Sequence, residues 1–311
     1  MNCIVTGGAG FIGSNIVDKL ISLGHKVTVI DNFSSGKEEN LSQHKNNLSL
    51  TIIRRDICDN LEDIFKKDKF DAVFHLAAIV SVPYSLEHPL ETNDVNVRGT
   101  LNLLECCRKF GVKRFVLSSS CSVYGNQETL PLVETMNPMP ISPYALSKLI
   151  GEHYCRLYNA VYGLETISLR YFNVYGPRQN PAGNYACMIP KFIRMINSDQ
   201  SPKINGDGKQ TRDFIFVSDV AEANISALNT TNKSCFGDVF NIGTGGNLSV
   251  NDVTEKIISL SGKNISPIYG PAVIEPKNAL ADNSKAKTIL NWQPKFSFEQ
   301  ALKETYKFFT I

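Results

Sequence analysis

The chain has 311 residues, enough for a large core, and chains of this size commonly form two lobes. Its 32 Lys and Arg residues nearly balance 30 Asp and Glu residues, so the net charge of +2 excludes charge-driven binding to nucleic acid or to an anionic membrane surface. No apolar run approaches the roughly 20 residues that span a bilayer, and no signal-like segment opens the sequence, so we expect a cytoplasmic protein.

Short apolar runs of strand length alternate with helical patterns through the first half of the chain. The predicted strands cover residues 3–6, 26–30, 50–53, 72–76, 114–117 and 166–169, and the main predicted helices cover residues 13–23, 96–110 and 143–162. Apolar strands without alternation are typical of parallel sheets that are covered on both faces. We therefore predict an α/β fold with a doubly wound, Rossmann-like parallel sheet.

After about residue 173 the regular alternation of strand and helix patterns gives way to loops rich in Pro, Gly and Asn. This change favours a smaller C-terminal substrate-binding lobe. Two later strand-like segments, 213–217 and 239–242, are expected to rejoin the main sheet. The eight cysteines form no C-x-x-C pair and do not alternate with the five histidines. We predict buried free thiols, no disulfides and no metal site.

A glycine loop follows the first predicted strand and opens the first predicted helix. Gly7 and Gly10 permit a tight turn and close approach of a pyrophosphate to the helix N-terminus, while Gly13 lets helix and strand pack closely. Asp31 ends the second strand about 20 residues later, where a carboxylate binds the ribose hydroxyls of a dinucleotide. Such an Asp otherwise caps a helix or turn. Because no Arg follows it directly, the pattern favours NAD over NADP.

A tyrosine and a lysine are predicted to share one face of the third long helix. Ser142 is a good N-cap and Pro143 a good first residue, so Tyr144 lies in the first turn, with Lys148 one turn later. A phenol has an ordinary pKa near 10. The Lys148 ammonium, the helix N-terminus and an oxidised nicotinamide ring are all expected to lower that pKa.

A cluster of serines, Ser118 to Ser120, ends the fifth predicted strand, where the hydroxyls of a parallel sheet face its ligand crevice. Either the Tyr-x-x-x-Lys pair or the serine loop is a common pattern alone. Their combination downstream of a glycine loop is not, and at this point the chain resembles an extended short-chain dehydrogenase/reductase, specifically a UDP-hexose 4-epimerase. The segments that carry the resemblance are 7–13, 31–36, 55–57, 75–78, 96–100, 118–125, 144–148, 170–177 and 212–214.

The resemblance implies roles for individual residues. The implied catalytic residues are Ser120, Tyr144 and Lys148. The implied NAD-binding residues are Gly7, Gly10, Phe11, Ile12, Gly13, Asp31, Asn32, Ser34, Gly36, Asp56, Ile57, Leu76, Ala77, Ala78, Tyr144, Lys148 and Tyr171. The implied UDP-sugar-binding residues are Ser81, Val82, Ser120, Ser122, Tyr144, Asn173, Met188, Ile189, Lys191, Asn205, Arg212, Glu275 and Ala279.

The implied reaction passes through a 4-keto sugar. The Tyr144 phenolate takes the proton of the sugar 4-hydroxyl while hydride leaves C4 for the nicotinamide, and Ser120 hydrogen-bonds the oxygen. Related dehydratases and decarboxylases carry an acid where this chain has Cys121 and Ser122, which favours epimerisation. A UDP-glucuronate 4-epimerase, a decarboxylase, a dehydratase and a non-catalytic NAD-sensing protein remain the alternatives. Cys121 is interpreted as a packed thiol rather than a nucleophile.

The resemblance also bears on the sugar. An ungapped alignment on residues 280–282 places the family's acidic residue at Glu275 and its gating position, a bulky Tyr in glucose-restricted enzymes, at Ala279. The small Ala279 leaves room for an acetamido group, so we expect UDP-N-acetylglucosamine and UDP-N-acetylgalactosamine to be accepted, and UDP-glucose and UDP-galactose as second substrates. The family's diphosphate-binding Arg is replaced by Ala272. Either Lys277 or Lys191 substitutes for it, or UDP is bound weakly.

The domain and assembly predictions complete this interpretation. Residues 1–172 plus about 213–243 are expected to form the NAD-binding domain, and residues 173–212 plus 244–311 the nucleotide-sugar-binding domain. The helices at 96–110 and 143–162 are expected to pair with a second subunit in a homodimer, although their non-catalytic faces could equally be core.

Overall fold

The computed structural model describes residues 1–182, 187–272 and 278–310. Its strands, in chain order, are β1 (Asn2–Thr6), β2 (Lys26–Asp31), β3 (Leu50–Arg54), β4 (Ala72–His75), β5 (Arg114–Ser120), β6 (Glu165–Tyr171), β7 (Asn173–Tyr175), β8 (Lys203–Asn205), β9 (Thr211–Arg212), β10 (Phe214–Phe216), β11 (Asp238–Ile242), β12 (Leu248–Ser249), β13 (Ile268–Gly270) and β14 (Asn278–Ala279). Its α-helices are α1 (Phe11–Ser22), α2 (Glu62–Lys67), α3 (Val82–Glu87), α4 (Pro89–Asn93), α5 (Gly99–Phe110), α6 (Pro143–Tyr162), α7 (Met188–Asn197), α8 (Val217–Asn229), α9 (Val250–Ser261), α10 (Ser284–Thr288) and α11 (Phe298–Thr310).

Within the described residues, seven strands form one parallel sheet in the order β11-β6-β5-β4-β1-β2-β3. The strand order reverses at β1, which pairs with β2 on one side and with β4 on the other. In open α/β sheets ligands bind outside the carboxyl ends of the strands at such a reversal. The predicted doubly wound, Rossmann-like fold is confirmed, and the ends of β1, β4 and β5 are where the site belongs.

Successive residues of the central strands point to opposite faces of the sheet, as the pleat requires. In β1, Cys3 and Val5 join a core with α1 and α8, whereas Ile4 joins a second core with α2, α5 and α6. The edge strand β3 is different, because Thr51 and Ile52 are exposed. The prediction that every strand is covered on both faces is therefore wrong at β3, where helices leave the edge open.

One of the two later strand predictions is correct and the other is wrong. The segment 239–242 forms β11 and pairs with β6 in the main sheet. The segment 213–217 forms β10, which pairs with β7 rather than with the main sheet. The reason is that β11 already occupies the free side of β6. β10 therefore pairs with β7, which continues from β6 beyond the sheet, and the chain turns into α8 at Val217.

The C-terminal part of the chain builds a third core of its own. Helices α7, α9 and α11 contribute its buried side chains together with β8 and β10; they include Ile189, Phe192, Ile193, Ile196, Ile204, Val253, Ile257, Ala301 and Leu302. This core is consistent with the smaller lobe, while the proposed domain boundaries stay predictions. Among the described helices, none combines the length and the apolar composition needed to cross a membrane.

Candidate active site

The loop between β1 and α1 needs glycine at two positions for steric reasons. Gly7 has φ +66°, and a Cβ there would lie 2.7 Å from the Ala77 backbone N. A Cβ at Gly13 would lie 2.2 Å from the Gly7 carbonyl oxygen, so α1 could not pack against the loop. Gly10 is the N-cap of α1, where unpaired backbone N–H groups favour a bound phosphate.

The Asp31 carboxylate lies beside this loop at the end of β2. Its oxygens accept hydrogen bonds from the Ala9 N–H at 2.9 Å and the Phe33 N–H at 2.8 Å. A Cβ at Gly36 would lie 2.9 Å from both carboxylate oxygens, so any side chain there would cover them. Glycine keeps that side of the carboxylate open, and the loop, the carboxylate and Gly36 together fit the pyrophosphate and ribose of NAD.

The next predicted contacts of the cofactor lie along the same edge. Asn32 donates to Asp56 at 2.8 Å, and the Asp56 carboxylate also accepts the Cys58 N–H at 2.8 Å. Burial favours a higher pKa for Asp56, but these hydrogen bonds outweigh it and hold the pKa below its ordinary value. Ser34 donates its N–H to the Asn32 side chain at 2.9 Å, and Ile57 is buried.

The loop after β4 closes over the glycine loop from the other side. Leu76 donates its N–H to the Thr6 carbonyl at 3.1 Å, and Ala77 donates to the Thr6 hydroxyl at 3.3 Å. Ala78 follows in this loop. The Tyr171 side chain lies in the hydrophobic core that the sheet forms with α1 and α8. Its hydroxyl is hydrogen-bonded to Asn224 of α8 at 2.8 Å. The cofactor roles of these residues stay predictions.

Helix α6 begins as the sequence predicts and carries the predicted catalytic pair. The Ser142 hydroxyl accepts the Ala145 N–H at 3.1 Å, and Pro143 is the first helical residue. Lys148 is buried and donates from Nζ to the Ser118 carbonyl at 2.9 Å, with Nζ 6.0 Å from the centroid of the Tyr144 ring. The Ser120 hydroxyl interacts with the Tyr144 phenol. Ser120, Tyr144 and Lys148 therefore meet at the end of β5.

The expected acidification of Tyr144 by protein groups is wrong. Burial raises the pKa of Tyr144 to about 12, and the interaction with Ser120 opposes this only in part. Burial also lowers the pKa of Lys148 to about 8, against the opposing charge of Glu152. The physical reason is that desolvation of the buried phenol outweighs its hydrogen bond with Ser120, while the Lys148 ammonium is hydrogen-bonded to the Ser118 carbonyl.

Several predicted substrate residues lie around this catalytic group. Ser81 caps α3 by accepting the Tyr84 N–H at 3.2 Å, and α3 docks on α6 where Ser85 accepts the Tyr144 N–H at 3.2 Å. This contact carries Ser81 and Val82 toward Tyr144. The Ser122 hydroxyl is buried and has no hydrogen-bond partner among the residues that the structure describes, so it is available to a ligand.

Residues of the smaller lobe approach the serine loop from the opposite side. Burial raises the pKa of Cys121 to about 12, which favours the packed thiol, and the charges of Arg212 and Asp213 also act on this thiol. Cys187 lies directly before α7, and its electrostatic interaction with Tyr144 favours a higher pKa of that phenol. The remaining predicted substrate residues lie as follows: Asn173 begins β7, Met188, Ile189 and Lys191 lie in the first turn of α7, Asn205 ends β8 and Ala279 ends β14. Glu275 and Lys277 lie outside the described residues.

A family model described as NAD dependent epimerase/dehydratase family matches residues 3–243. The chain belongs to this epimerase/dehydratase family. The match spans the glycine loop, Asp31, the serine loop and the Tyr144–Lys148 pair. The family prediction, the NAD cofactor and the prediction of an NAD-dependent isomerase are confirmed.

Solved structures of epimerases of this family superpose over the full chain. The UDP-N-acetylglucosamine 4-epimerase from Methanobrevibacter ruminantium M1, in complex with UDP-N-acetylmuramic acid, is 43% identical with a TM-score of 0.94 over 99% of this chain and 98% of that chain. The UDP-glucose 4-epimerase from Thermotoga maritima, with UDP-glucose, is 41% identical with a TM-score of 0.94 over 100% and 99%. The UDP-glucuronic acid 4-epimerase from Bacillus cereus, with UDP-glucuronic acid and NAD, is 34% identical with a TM-score of 0.92 over 100% and 99%.

The site of this epimerase/dehydratase contains a buried ion pair that sequence reasoning missed. Glu152 lies one turn after Lys148 and forms a bidentate pair with Arg170 of β6, at 2.9 and 2.7 Å, and it also accepts the Ser119 hydroxyl. Burial disfavours the charged form of Arg170, but the hydrogen bonds and the negative charge of Glu152 more than compensate. The pKa of Arg170 is therefore raised. The i, i+4 spacing of Glu152 from Lys148 was the available signal.

Asn96 is a second missed residue of this family member. Its side chain accepts the Ile79 N–H at 2.8 Å and donates to the Ile79 carbonyl at 2.9 Å and to the Ser147 hydroxyl at 2.9 Å. It therefore fixes the loop after β4 against α6. The motif around Asn96 carried the resemblance, but its partners are distant in sequence.

In the described residues, no group of His, Cys, Asp and Glu could hold a metal ion.

Proposed function

We propose that this protein catalyses the NAD-dependent 4-epimerisation of a UDP-hexose, with UDP-N-acetylglucosamine and UDP-N-acetylgalactosamine as the preferred pair and UDP-glucose and UDP-galactose as second substrates. The observation that carries the proposal is the meeting of Ser120, Tyr144 and Lys148 at the end of β5, on the same carboxyl edge of the parallel sheet as the glycine loop after β1. Membership of the epimerase/dehydratase family supports the same reaction class.

Each protein group has one task in this reaction. Tyr144 takes the proton of the sugar 4-hydroxyl and returns it after the sugar has turned, while Ser120 donates a hydrogen bond to the same oxygen. Lys148 supplies positive charge beside the phenol and is held in place by the Ser118 carbonyl. NAD, when bound, supplies a hydride acceptor and a positive charge that favours the Tyr144 phenolate.

The serine loop supports epimerisation over elimination or decarboxylation. Those reactions need a further acid or base beside the sugar. Cys121 occupies one candidate position, and its thiol remains protonated because burial raises its pKa to about 12. Ser122 occupies the other and has an unpartnered hydroxyl in the described part of the chain. Both side chains can hydrogen-bond a sugar, but neither supplies the carboxyl group that the resemblance assigns to dehydratases and decarboxylases at these positions.

The size of the residue at position 279 supports the N-acetyl substrates. Ala279 ends β14 and is paired with Arg212 of β9, so it lies next to the residue proposed to bind the nucleotide. A methyl side chain at this position leaves space that a tyrosine would fill. The similar enzyme from M. ruminantium is named a UDP-N-acetylglucosamine 4-epimerase, which agrees with this preference.

The diphosphate is proposed to be bound by Asn173 and Arg212 without the additional Arg that related enzymes carry at position 272. A Cβ at Gly206 would lie 3.6 Å from the Ala272 Cβ, so position 272 is close to the end of β8. No charged group is contributed by Ala272 itself. Lys191 is exposed in the first turn of α7, and we propose it as the compensating cation.

Product analysis tests the proposed function directly. The NAD-loaded enzyme is incubated separately with UDP-N-acetylglucosamine, UDP-glucose and UDP-glucuronate, and the products are separated by chromatography and weighed by mass spectrometry. We expect C4 isomers of unchanged mass, formed fastest from UDP-N-acetylglucosamine. Loss of water or carbon dioxide from any substrate would contradict epimerisation, and turnover of UDP-glucuronate alone would contradict the sugar preference.

We also propose a homodimer formed through the outer faces of α5 and α6. Leu157, Val161 and Tyr162 of α6 are each about half exposed, at 49%, 60% and 52%. Residues at i and i+4 form one apolar stripe on a helix surface, and such a patch typically marks an interface. Light scattering should give twice the chain mass, and Leu157→Glu combined with Val161→Glu should give the mass of a monomer.

The cysteines support a cytoplasmic location, which we propose as well. All eight are free thiols, and most are buried. Reducing compartments maintain cysteines in this state. Fractionation of cells that express the protein should recover it with the cytoplasmic fraction, and recovery with a secreted or periplasmic fraction would contradict the proposal.

A further inference from the structure

Asp213 is completely buried at the point where the smaller lobe meets the main sheet. One carboxylate oxygen accepts the Thr244 N–H at 2.8 Å and the Thr244 hydroxyl at 2.6 Å. The other accepts the Gly245 N–H at 2.9 Å and the Ala281 N–H at 3.1 Å. Four donors therefore converge on one carboxylate, which is full use of its acceptor capacity.

The carboxylate bond from Ala281, which lies in the segment after Ala279, and a main-chain bond of Asp213 join segments that are far apart in the sequence. The Asp213 carbonyl accepts the Asn173 N–H at 3.0 Å, which ties β7 to the Asp213 segment. Arg212 precedes Asp213, and its strand β9 pairs with β14, which ends at Ala279. Each of the three segments carries one residue of the proposed substrate site: Asn173, Arg212 and Ala279.

The carboxylate cannot be replaced by a neutral group without loss. Burial raises the pKa of Asp213, and the hydrogen bonds from Thr244, Gly245 and Ala281 act against that increase. Every group that contacts the carboxylate is a donor. An amide in its place would direct an NH₂ group at one of these donors, which leaves at least one buried N–H unpaired.

We propose that Asp213 is a positioning residue for the nucleotide sugar: its carboxylate ties the segment that follows Ala279 to the main chain that follows Arg212 and bonds Asn173, and so holds these three residues in one arrangement. This inference rests on the proposed function, because it concerns the same substrate site. Asp213 itself does not contact the reacting atoms. Its loss is expected to weaken substrate binding without impairing proton transfer at Tyr144.

A purely structural role predicts a different result, and Asp219 provides the matched control. Asp219 is also completely buried, and burial raises its pKa as well. Its carboxylate accepts the Lys295 N–H at 2.9 Å and the Phe296 N–H at 3.3 Å, so it ties α8 to the segment before α11. It contacts none of the proposed substrate residues in these hydrogen bonds. Asp219→Asn removes a buried carboxylate of the same kind away from the substrate.

The experiment compares Asp213→Asn, Asp219→Asn and the unaltered protein, all loaded with NAD. Initial rates with UDP-N-acetylglucosamine give KM and kcat, calorimetry gives the Kd of UDP, and thermal scans give the loss of stability. For Asp213→Asn we expect KM and the Kd of UDP to rise roughly tenfold with kcat changed by less than about twofold. For Asp219→Asn we expect a lower Tm with unchanged KM.

Thr244→Val gives a second measurement if Asp213→Asn fails to fold, because it removes a single hydroxyl donor from Asp213. We expect roughly a two- to fivefold rise in KM from this variant. Unchanged KM in the folded Asp213 and Thr244 variants, or an equal rise in Asp219→Asn, would overturn the inference. An unaltered protein that binds UDP but epimerises none of the tested sugars would overturn the proposed function instead.

Discussion

On the cofactor side of the cleft, the residues of the glycine loop follow one another from Gly7 to Gly13, and Asp31 ends the adjacent strand. On the proposed substrate side, Asn173, Arg212 and Ala279 are brought together from three distant parts of the chain. The cofactor side is built from local sequence on two neighbouring strands. The substrate side depends on long-range hydrogen bonds, of which those of Asp213 are the clearest.

Substitutions on the two sides should therefore have different effects. A substitution on the cofactor side acts on a group that local geometry already fixes, so its effect should be on chemistry or on stability. A substitution on the substrate side acts on an assembled surface, so its effect should be on affinity and on the choice of sugar. The substitutions below test that division, beginning with the one that should impair the protein most.

Removing the Tyr144 hydroxyl should have the largest effect. Tyr144→Phe is expected to reduce kcat on the order of 10⁴-fold, because the proposed mechanism has this hydroxyl take and return the proton in each turnover. KM and NAD content should change little. Tyr154→Phe, in the same helix and partly buried, is the control and should retain activity. If Tyr144→Phe turned over normally, or if its cellular function persisted unchanged, a non-catalytic NAD-sensing protein would be favoured.

Breaking the buried ion pair behind Lys148 should come next. Glu152→Gln leaves Arg170 charged and nearly inaccessible to water, so we expect the free energy of unfolding to fall by about 3–5 kcal/mol. Urea titration measures this loss. The exposed pair Lys256–Glu299 is the control: Glu299→Gln should cost roughly 0–1 kcal/mol. Equal losses in both variants would show that burial does not set the difference.

The pH dependence of stability should reveal the lowered pKa of His75. Burial and the charge of Lys148 lower its pKa to about 3, and its ring nitrogens are bonded to Thr6 and Thr100, each at 2.8 Å. Because the unfolded chain protonates near pH 6.5, it binds the proton that the folded state excludes. The free energy of unfolding should therefore fall by ~1.4 kcal/mol per pH unit between about pH 6 and 3 from this residue.

The measurement for His75 is a series of urea midpoints at pH 7, 6 and 5. His75→Gln removes the titrating group and should show a shallower slope than the unaltered protein. Parallel slopes for the two proteins would mean that other groups account for the acid sensitivity.

Changing the sugar gate should have the smallest effect and should appear only in selectivity. Ala279→Tyr is expected to lower kcat/KM for UDP-N-acetylglucosamine relative to UDP-glucose by about tenfold, since the ring occupies the space of the acetamido group. Ala279→Ser keeps a small side chain and should preserve the ratio. A ratio that Ala279→Tyr leaves unchanged would place the sugar's C2 substituent elsewhere, and would weaken the contrast between the two sides of the cleft.

The same contrast explains what the sequence could predict. Apolar periodicity placed the parallel strands and α6, because buried strands and long helices leave regular patterns. It misplaced the strand at 213–217, since sheet partnership is decided by which neighbour is free, and it missed the exposed edge at β3. Local motifs identified the glycine loop and Tyr144.

The sequence does not predict the hydrogen-bond partners of buried polar groups. These partners, together with burial, set the pKa values in the site. The protein groups around Tyr144 were expected to lower its pKa, but burial raises it, because the extent of burial depends on the whole fold. Glu152 is fixed by Arg170, which lies 18 residues away on another element. Asp213 bonds a backbone group 68 residues further along the chain. Spacing rules reach one or two helical turns and do not extend to such distances.

The hydrogen bonds of Asp213 have a consequence for evolution of the sugar site. Three of its four donors are main-chain N–H groups, which belong to Thr244, Gly245 and Ala281. A scaffold held through its main chain tolerates exchange of the neighbouring side chains, because every residue except proline offers the same donor. If Ala279 borders the sugar as proposed, replacement of this one side chain changes which sugar fits, while the main-chain hydrogen bonds of Asp213 are kept.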